Sequence, residues 1–182
     1  MAILQIAKLG NPILRKLAAP VTPEELKSEP FQLFIDDMVE TMREKDGVGL
    51  AAPQVFASKQ LVVIESHLNP RYEGAPEIPL LVLVNPLFTY LSPEKTEGWE
   101  GCLSVDNLRG KVLRSRKVAV RGMDRYGDSV AFITDTFLSV ILQHEIDHLH
   151  GRLFVDQISD PTSLSQLDEF EKYIHREKAT VA

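Results

Sequence analysis

The sequence predicts an α+β fold in which mostly antiparallel sheets pack around a central helix, with a further helix at the C-terminus. Two observations favour this class. Short β-type runs cluster in the middle of the chain without a helix between each pair, which argues against a parallel βαβ arrangement. Longer segments with apolar residues at helical spacing flank that block. The 182 residues suit one hydrophobic core, so we expect a single domain over 1–182.

The first predicted helix covers residues 31–47, where apolar side chains share one face and Asp46 and Gly47 supply the stop. Strands are then predicted at 60–65, 80–86, 117–124 and 129–135. The last two flank residues 125–127, a hairpin connection with a glycine available for positive φ. The proline-containing stretch 67–79 is predicted to be a surface loop.

The second long helix is predicted at 135–151, with Asp135 or Thr136 as its cap and Gly151 at its end. A final helix is predicted at about 163–177. Its apolar side would consist of Leu164, Leu167, Phe170 and Ile174.

The charge balance excludes some classes of partner. The net charge is −6, with 25% charged and 44% hydrophobic residues, as in soluble globular proteins. General binding to nucleic acid or to an anionic membrane needs a basic surface, so we expect neither. A local basic patch is predicted from Lys111, Arg114, Arg116 and Lys117.

The compartment is predicted from what the sequence lacks. Cys102 is the one cysteine, so no intramolecular disulfide can form and a reducing environment is favoured. Polar residues interrupt the apolar N-terminus, which therefore does not resemble a signal peptide. No stretch approaches the roughly 18 apolar residues of a membrane span. We expect a cytoplasmic protein without a membrane partner.

The segment "HEIDH" places two histidines four residues apart on the second long helix. His144 and His148 therefore share one face, while Glu145 is rotated by about 100° and can reach a water beside a bound ion. The histidines extend the apolar stripe of the helix, so they should face inward. This pattern predicts a metal-binding HExxH helix, with a hydrogen-bonded core pair as the alternative. The remaining histidines, His67, His150 and His175, are expected to take no part.

A third ligand has two candidates. Cys102 lies in the glycine-containing segment 97–105, where a thiolate could serve a divalent ion; its alternative is a small buried apolar residue. Asp168 lies twenty residues after His148, a separation at which some metalloproteases place an acidic ligand. These residues alone leave the choice open.

The segment "GVGLAAPQV" (47–55) follows the first helix. Its glycines allow close backbone approach, and Gln54 offers an uncharged amide donor. It lacks the lysine of a P-loop, so phosphate binding is not expected.

Together, "GVGLAAPQ", "EGCLS" and "QHEIDHL", in this order, resemble the three signature motifs of the peptide deformylases. The stretches "LGNPILRKLAAPV" and "GRLFVDQI" fit the same family, so the resemblance covers nearly all of residues 3–158. It implies a hydrolase that removes the formyl group from the N-terminal methionine of nascent polypeptides and releases formate.

The resemblance also implies roles for particular residues. Cys102, His144 and His148 would be the metal ligands, and Glu145 the catalytic acid and base. The Gln54 side chain and the Leu103 backbone N–H would polarise the formyl oxygen. Further substrate contacts would come from Gly49, Glu100 and Arg109.

A methionine pocket is predicted from Val48, Val140 and Ile141, with Phe137 as either a pocket or a core residue. The resemblance implies one Fe²⁺ per chain, with Zn²⁺, Ni²⁺ or Co²⁺ able to occupy the site. The partners would be N-formylmethionyl nascent peptides, and a ribosome contact through the C-terminal helix stays open.

The chain departs from the family pattern at two places. Asp106 and Asn107 stand where many members carry proline and glycine. Asx residues also form turns, so the loop could keep its path while its substrate contacts change. Trp99 precedes the "EGCLS" motif and could reshape the rim of the pocket.

Three other functions remain open from the sequence. A general metallopeptidase would use Asp168 as its third ligand. A non-catalytic module would hold a structural metal, which usually takes four protein ligands. A homologue that has lost its activity would keep the fold, although the presence of Glu145 and Gln54 disfavours this alternative.

Overall fold

The computed structural model describes residues 2–67 and 76–175, apart from the side chain of His175. Within these residues the strands form two antiparallel sheets. The first has the order β1-β2-β3-β6-β7 and contains β1 (Gly49–Ala51), β2 (Leu61–Ser66), β3 (Ile78–Leu91), β6 (Val118–Met123) and β7 (Ser129–Thr134). The second has the order β4-β5-β8 and contains β4 (Lys95–Cys102), β5 (Val105–Ser115) and β8 (Ser165–Gln166).

The helices of these residues are α1 (Pro23–Lys27), α2 (Glu29–Glu44), α3 (Phe137–Leu149) and α4 (Leu167–Glu169), which continues as a π-helical segment Phe170–His175. Short 3-10 turns lie at Pro12–Arg15, Ala52–Val55, Phe154–Gln157 and Pro161–Ser163. None of the helices in the described ranges is long and apolar enough to span a bilayer.

The five-stranded sheet lies between the two long helices. Successive side chains of a strand point to opposite faces. In β2, Leu61 and Val63 belong to the core cluster formed with α2, whereas Val62 and Ile64 belong to the cluster formed with α3. Because both faces of β2 are buried, its segment "LVVI" is a continuous apolar run. This strand fixes the position of α3 at the centre of the molecule.

The smaller sheet brings its own core against the far side of α3. Cys102, Val105 and Val112 pack with Leu14 and Phe154, which come from opposite ends of the chain. The predicted α+β class with antiparallel sheets around a central helix, and with a C-terminal helix, is therefore confirmed.

The long β4–β5 hairpin was not predicted from the sequence. Its charged residues obscure the alternation that identifies a strand, because several pair across or along the sheet. Lys111 Nζ lies 3.0 Å from Glu97 within the hairpin, and Arg116 lies 2.9 Å from Glu94 directly beyond the ends of the two strands. The predicted basic patch is wrong because its residues do not form an exposed positive surface. Arg114 is buried, and Lys117 lies 3.8 Å from Asp135.

The C-terminal helix begins later than the predicted residue 163. Residues Pro161–Ser163 form a 3-10 turn, and Ser165–Gln166 pair with β5 before α4 begins. The hairpin edge offers these residues backbone hydrogen bonds that a helix would forgo. The predicted surface loop at 67–79 lies largely outside the described residues, and the prediction of a single domain stays a prediction.

Packing of α2 on the sheet predicts a sharp difference between two of its positions. Met38 is fully buried, whereas Leu33 is 55% exposed. Met38→Ala leaves a cavity and should lower the free energy of unfolding by about 2–5 kcal/mol. Leu33→Ala should change it by no more than about 0.5 kcal/mol, as is usual at the surface. Urea denaturation of both variants checks this, and equal losses would contradict the described packing.

Candidate metal centre

The helix α3 presents both histidines of its "HEIDH" segment to the interior. Thr136 caps its first turn by accepting a hydrogen bond from the N–H of Leu138 at 3.4 Å. The His144 and His148 ring centroids lie 5.1 Å apart, and His148 is only 1% exposed. Positions i and i+4 of a helix share one face, so both rings are directed at the smaller sheet.

Cys102 meets these rings from the end of β4. The β4–β5 register shifts between Glu100 and Cys102, and the hairpin turns directly after the cysteine. Its Sγ lies 3.3 Å from Nε2 of His148. One ligand atom each from Cys102, His144 and His148 lie within 4.8 Å of one another, a spacing that fits a shared metal ion.

Other candidate ligands lie outside this cluster. Asp168 is exposed and accepts a hydrogen bond from the N–H of Glu169 at 3.0 Å. His67 lies 3.2 Å from Glu65, and the ring of His150 lies 2.9 Å from the carbonyl of Ile146. The side chain of His175 is outside the described residues. Within the described part of the chain, the cluster of potential ligands has three members rather than the four usual for a structural zinc site.

The buried side chain of Gln54 points its amide group at this cluster. The N–H of Ala51 donates to its Oε1 at 2.8 Å, which fixes the orientation of the amide. Its Nε2 then donates to Ser104 Oγ at 3.2 Å and lies 3.4 Å from Cys102 Sγ. The 3-10 turn after β1 thus places an N–H donor beside the sulfur.

Glu145 packs directly against the backbone of β1. A Cβ added to Gly49 would lie 2.8 Å from Cδ of Glu145, so only glycine allows this approach. Glu145 is 4% exposed, and its Oε2 has no hydrogen-bond partner among the described residues. Burial disfavours the carboxylate and raises the pKa of Glu145 to about 7.

A buried chain of ion pairs orients His144 from behind. Its Nδ1 lies 2.8 Å from Glu100 Oε2, which leaves Nε2 as the ring nitrogen for a ligand role. Arg114 contacts the same carboxylate at 2.7 and 3.0 Å, and Asp147 at 2.6 Å. Burial raises the pKa of Glu100, but hydrogen bonds from His144 and Arg114 outweigh it and lower this pKa to about 2.

The surroundings of the two histidines shift their pKa values in opposite directions. Burial lowers the pKa of His144, but its contacts with Cys102 and Glu100 outweigh this and raise the pKa well above the ordinary value. Burial is the main cause that lowers the pKa of His148 well below its ordinary value, and the charge on His144 is the second. A sulfur and two imidazoles suit a divalent transition metal, so the donor set fits such an ion.

A pocket opens beside the cluster. All the predicted site residues line it except His148 and Arg109. Its apolar wall consists of Val48, Phe137, Val140 and Ile141. Trp99 also lines the pocket.

Glu100 and Arg109 were predicted to contact substrate, and their positions suggest other roles. The Glu100 carboxylate is taken up by Arg114 and His144. Arg109 is 6% exposed, and its side chain crosses Gly101 so closely that an added Cβ would lie 2.6 Å from Cζ. Substrate contact by either residue stays a prediction.

The N-terminal segment joins two of the site's loops, a link that the sequence did not reveal. The N–H of Ala7 donates to the Gln54 carbonyl at 2.7 Å, and that of Leu9 donates to the Ser104 carbonyl at 2.7 Å. Lys8 Nζ donates to the Leu103 carbonyl at 2.9 Å and to Asp106 at 2.7 Å.

The structure explains how Asp106 and Asn107 are accommodated after "EGCLSV". Asp106 receives Lys8, and Asn107 adopts a φ of +56°, a conformation that asparagine tolerates better than most residues. Both residues lie at the start of β5, which forms here without a proline or a glycine at these two positions.

Known proteins share this sequence and architecture. The family model described as "Polypeptide deformylase" matches residues 3–163. A peptide deformylase of Leptospira biflexa is 45% identical over 159 residues, which cover 87% of this chain and 89% of that protein. A crystal structure of the class I type b peptide deformylase from Acinetobacter baumannii superposes with a TM-score of 0.85 at 45% identity, covering 87% of this chain and 100% of that one.

A second structure of the A. baumannii enzyme, with bound Met-Ala-Ser, gives a TM-score of 0.84 at 44% identity and covers 86% of this chain and 99% of that one. The sequence prediction of the family is confirmed on both sequence and structure. The chain belongs to the polypeptide deformylase family, whose enzymes remove the N-formyl group from nascent peptides.

Proposed function

We propose that this chain hydrolyses N-formylmethionyl peptides at the cluster of Cys102, His144 and His148, with one divalent cation bound there. The approach of their ligand atoms within 4.8 Å carries the proposal. The Met-Ala-Ser bound to the A. baumannii relative supports it, since this tripeptide is the product expected from formyl-Met-Ala-Ser.

The ion would be held by one thiolate and two neutral imidazoles, which leaves room for a further ligand. When bound, it would lower the pKa of water toward about 7 and polarise the formyl carbonyl. The chain from Arg114 through Glu100 to Nδ1 of His144 keeps Nε2 of that ring directed at the cluster.

Glu145 would act as the proton carrier. A carboxylate with a pKa near neutrality can accept a proton from the attacking water and return it to the departing amine. Such general acid and base catalysis typically contributes about 10²–10⁴ in rate.

Gln54 and the backbone N–H of Leu103 would stabilise the negative charge that develops on the formyl oxygen. The hydrogen bond from Ala51 holds the Gln54 amide in place before substrate arrives, so little reorganisation is needed. A single donor of this kind is worth about 10²–10³ in rate.

The substrate methionine would fill the apolar wall formed by Val48, Val140 and Ile141, and the Gly49 backbone would bind the peptide chain. We place the reaction in the cytoplasm, where formylated chains are made. Contact of the C-terminal segment with the ribosome remains a prediction.

We further propose Fe²⁺ as the ion in the cell. In a site where a thiolate holds a ferrous ion, both the iron and the sulfur can be oxidised. The iron-loaded protein should therefore lose activity in air within a period over which the nickel-loaded protein keeps it. Formate release measured after timed exposure tests this, with both forms held anaerobically as controls. Equal loss of activity by the two forms in air would contradict the expectation that the iron form is the more sensitive to oxygen.

Replacement of the proton carrier should separate catalysis from metal binding. Glu145→Gln keeps the shape of the side chain and should lower kcat on formyl-Met-Ala-Ser by about 10²–10⁴, since the proton route is lost. Metal content per chain should stay near the wild-type value. Atomic absorption and anaerobic formate release give the two measurements. Wild-type turnover in this variant would overturn the role assigned to Glu145.

Replacement of the sulfur ligand distinguishes the deformylase from a general metallopeptidase. Cys102→Ser should strip most of the metal and the activity, because a neutral hydroxyl is a poor substitute for a thiolate. Asp168→Asn, the matched control, should keep both. The opposite pattern, with metal kept in the serine variant and lost in the asparagine variant, would favour Asp168 as the third ligand.

A further inference from the structure

The family match ends at residue 163, but the chain continues into contact with the pocket wall. Ser165 pairs with Arg109, and Gln166 with Leu108, which adds β8 to the edge of β5. This pairing directs the following turn across the β4–β5 hairpin. Phe170, in that turn, is only 8% exposed.

Phe170 packs against Trp99 of β4. Their ring centroids lie 4.8 Å apart with an interplanar angle of 64°, which is the favourable edge-to-face arrangement. Lys111, opposite Trp99 in the hairpin, places Nζ 5.7 Å from the centroid of the indole ring. The indole is therefore held by two neighbours while it lines the pocket.

The position of Trp99 along β4 determines what it can touch. It precedes Cys102 by three residues, and a strand advances about 3.3 Å per residue, so the two lie roughly 10 Å apart along the strand. An extended peptide with its formyl group at the metal centre covers the same distance by its second or third residue.

The chemistry of this wall favours one class of side chain. Lys111 is paired with Glu97 at 3.0 Å, so the charges beside the ring are balanced. The flat apolar indole is then the feature that distinguishes one substrate residue from another. Aromatic and large apolar side chains gain most from contact with such a ring.

We propose that Trp99, held in position by Phe170, forms a subsite for an aromatic or large apolar side chain at the second or third residue of the formylated peptide. The C-terminal segment 164–174 thereby sets substrate selectivity in this chain. The inference rests on the proposed function, since it assumes that the formyl group lies at the cluster of Cys102, His144 and His148.

Fluorescence tests the contact directly, because Trp99 is the single tryptophan of the chain. Titration of the metal-loaded enzyme with Met-Ala-Phe should give a saturable change in tryptophan emission. Methionine amide, which is too short to reach Trp99, should compete with the peptide for the enzyme but leave the emission unchanged. Saturable binding of Met-Ala-Phe by calorimetry without any emission change would overturn the proposal.

Kinetics test the selectivity. Phe170→Ala should lower the preference in kcat/KM for formyl-Met-Ala-Phe over formyl-Met-Ala-Ser by about 2- to 12-fold, the range expected for loss of one aromatic contact. The loss should appear in KM, and Phe170→Tyr should restore the preference. Phe170→Leu keeps the apolar burial but removes the aromatic contact. It should show the same loss of preference, and it replaces Phe170→Ala in the test if that variant does not fold. Tyr173→Ala, 54% exposed in the same segment, is the matched control and should behave as wild type.

The two proposals fail in different ways. If formyl-methionine amide is hydrolysed normally by wild type and variants, and the Phe-to-Ser preference is equal in all of them, the subsite is refuted while the proposed function stands. If wild type releases no formate from any of these compounds, the proposed function itself is refuted. A loss of selectivity in Phe170→Ala and Phe170→Leu, reversed in Phe170→Tyr, supports the subsite.

Discussion

The approach of the Cys102 sulfur to the two histidine rings is the contact on which the rest of the structure depends. It joins the end of a hairpin in one sheet to a helix that is positioned by the other sheet. Neither sheet contains the whole cluster. Burial of both faces of β2 fixes the position of α3, and the turn after β4 fixes the position of the sulfur. Both are needed for the three ligand atoms to converge.

Buried charge is the second constraint. Arg114 contacts both Glu100 and Asp147, so one guanidinium ties the hairpin to the helix directly behind the ligands. Removing charges from water is costly and is repaid only by good geometry. The arrangement therefore makes most sense as a means of holding His144 in one tautomer and orientation, rather than as a source of stability.

Much of the fold and of the candidate site could be predicted from the sequence, for physical reasons that differ between elements. Apolar periodicity identified α2, which buries one continuous face. The same signal identified α3, although its second half is buried on almost all sides. The β4–β5 hairpin escaped because its charged residues satisfy one another locally. Arg114 looked like part of a basic surface, since its partners are remote in sequence. The bond from Lys8 to the Leu103 carbonyl was equally invisible, as nothing in local spacing encodes it.

The hydrogen bonds of Ala7 and Leu9 have a consequence for how the molecule matures during its own synthesis. These residues leave the ribosome before Cys102 and the helix with both histidines, which follow roughly a hundred residues or more later. Contacts between such distant segments form late in folding, after the entropy of closing a long loop has been overcome. A growing chain thus has no assembled centre until the helix with both histidines has been translated, and ion capture should coincide with the folding step that joins these segments.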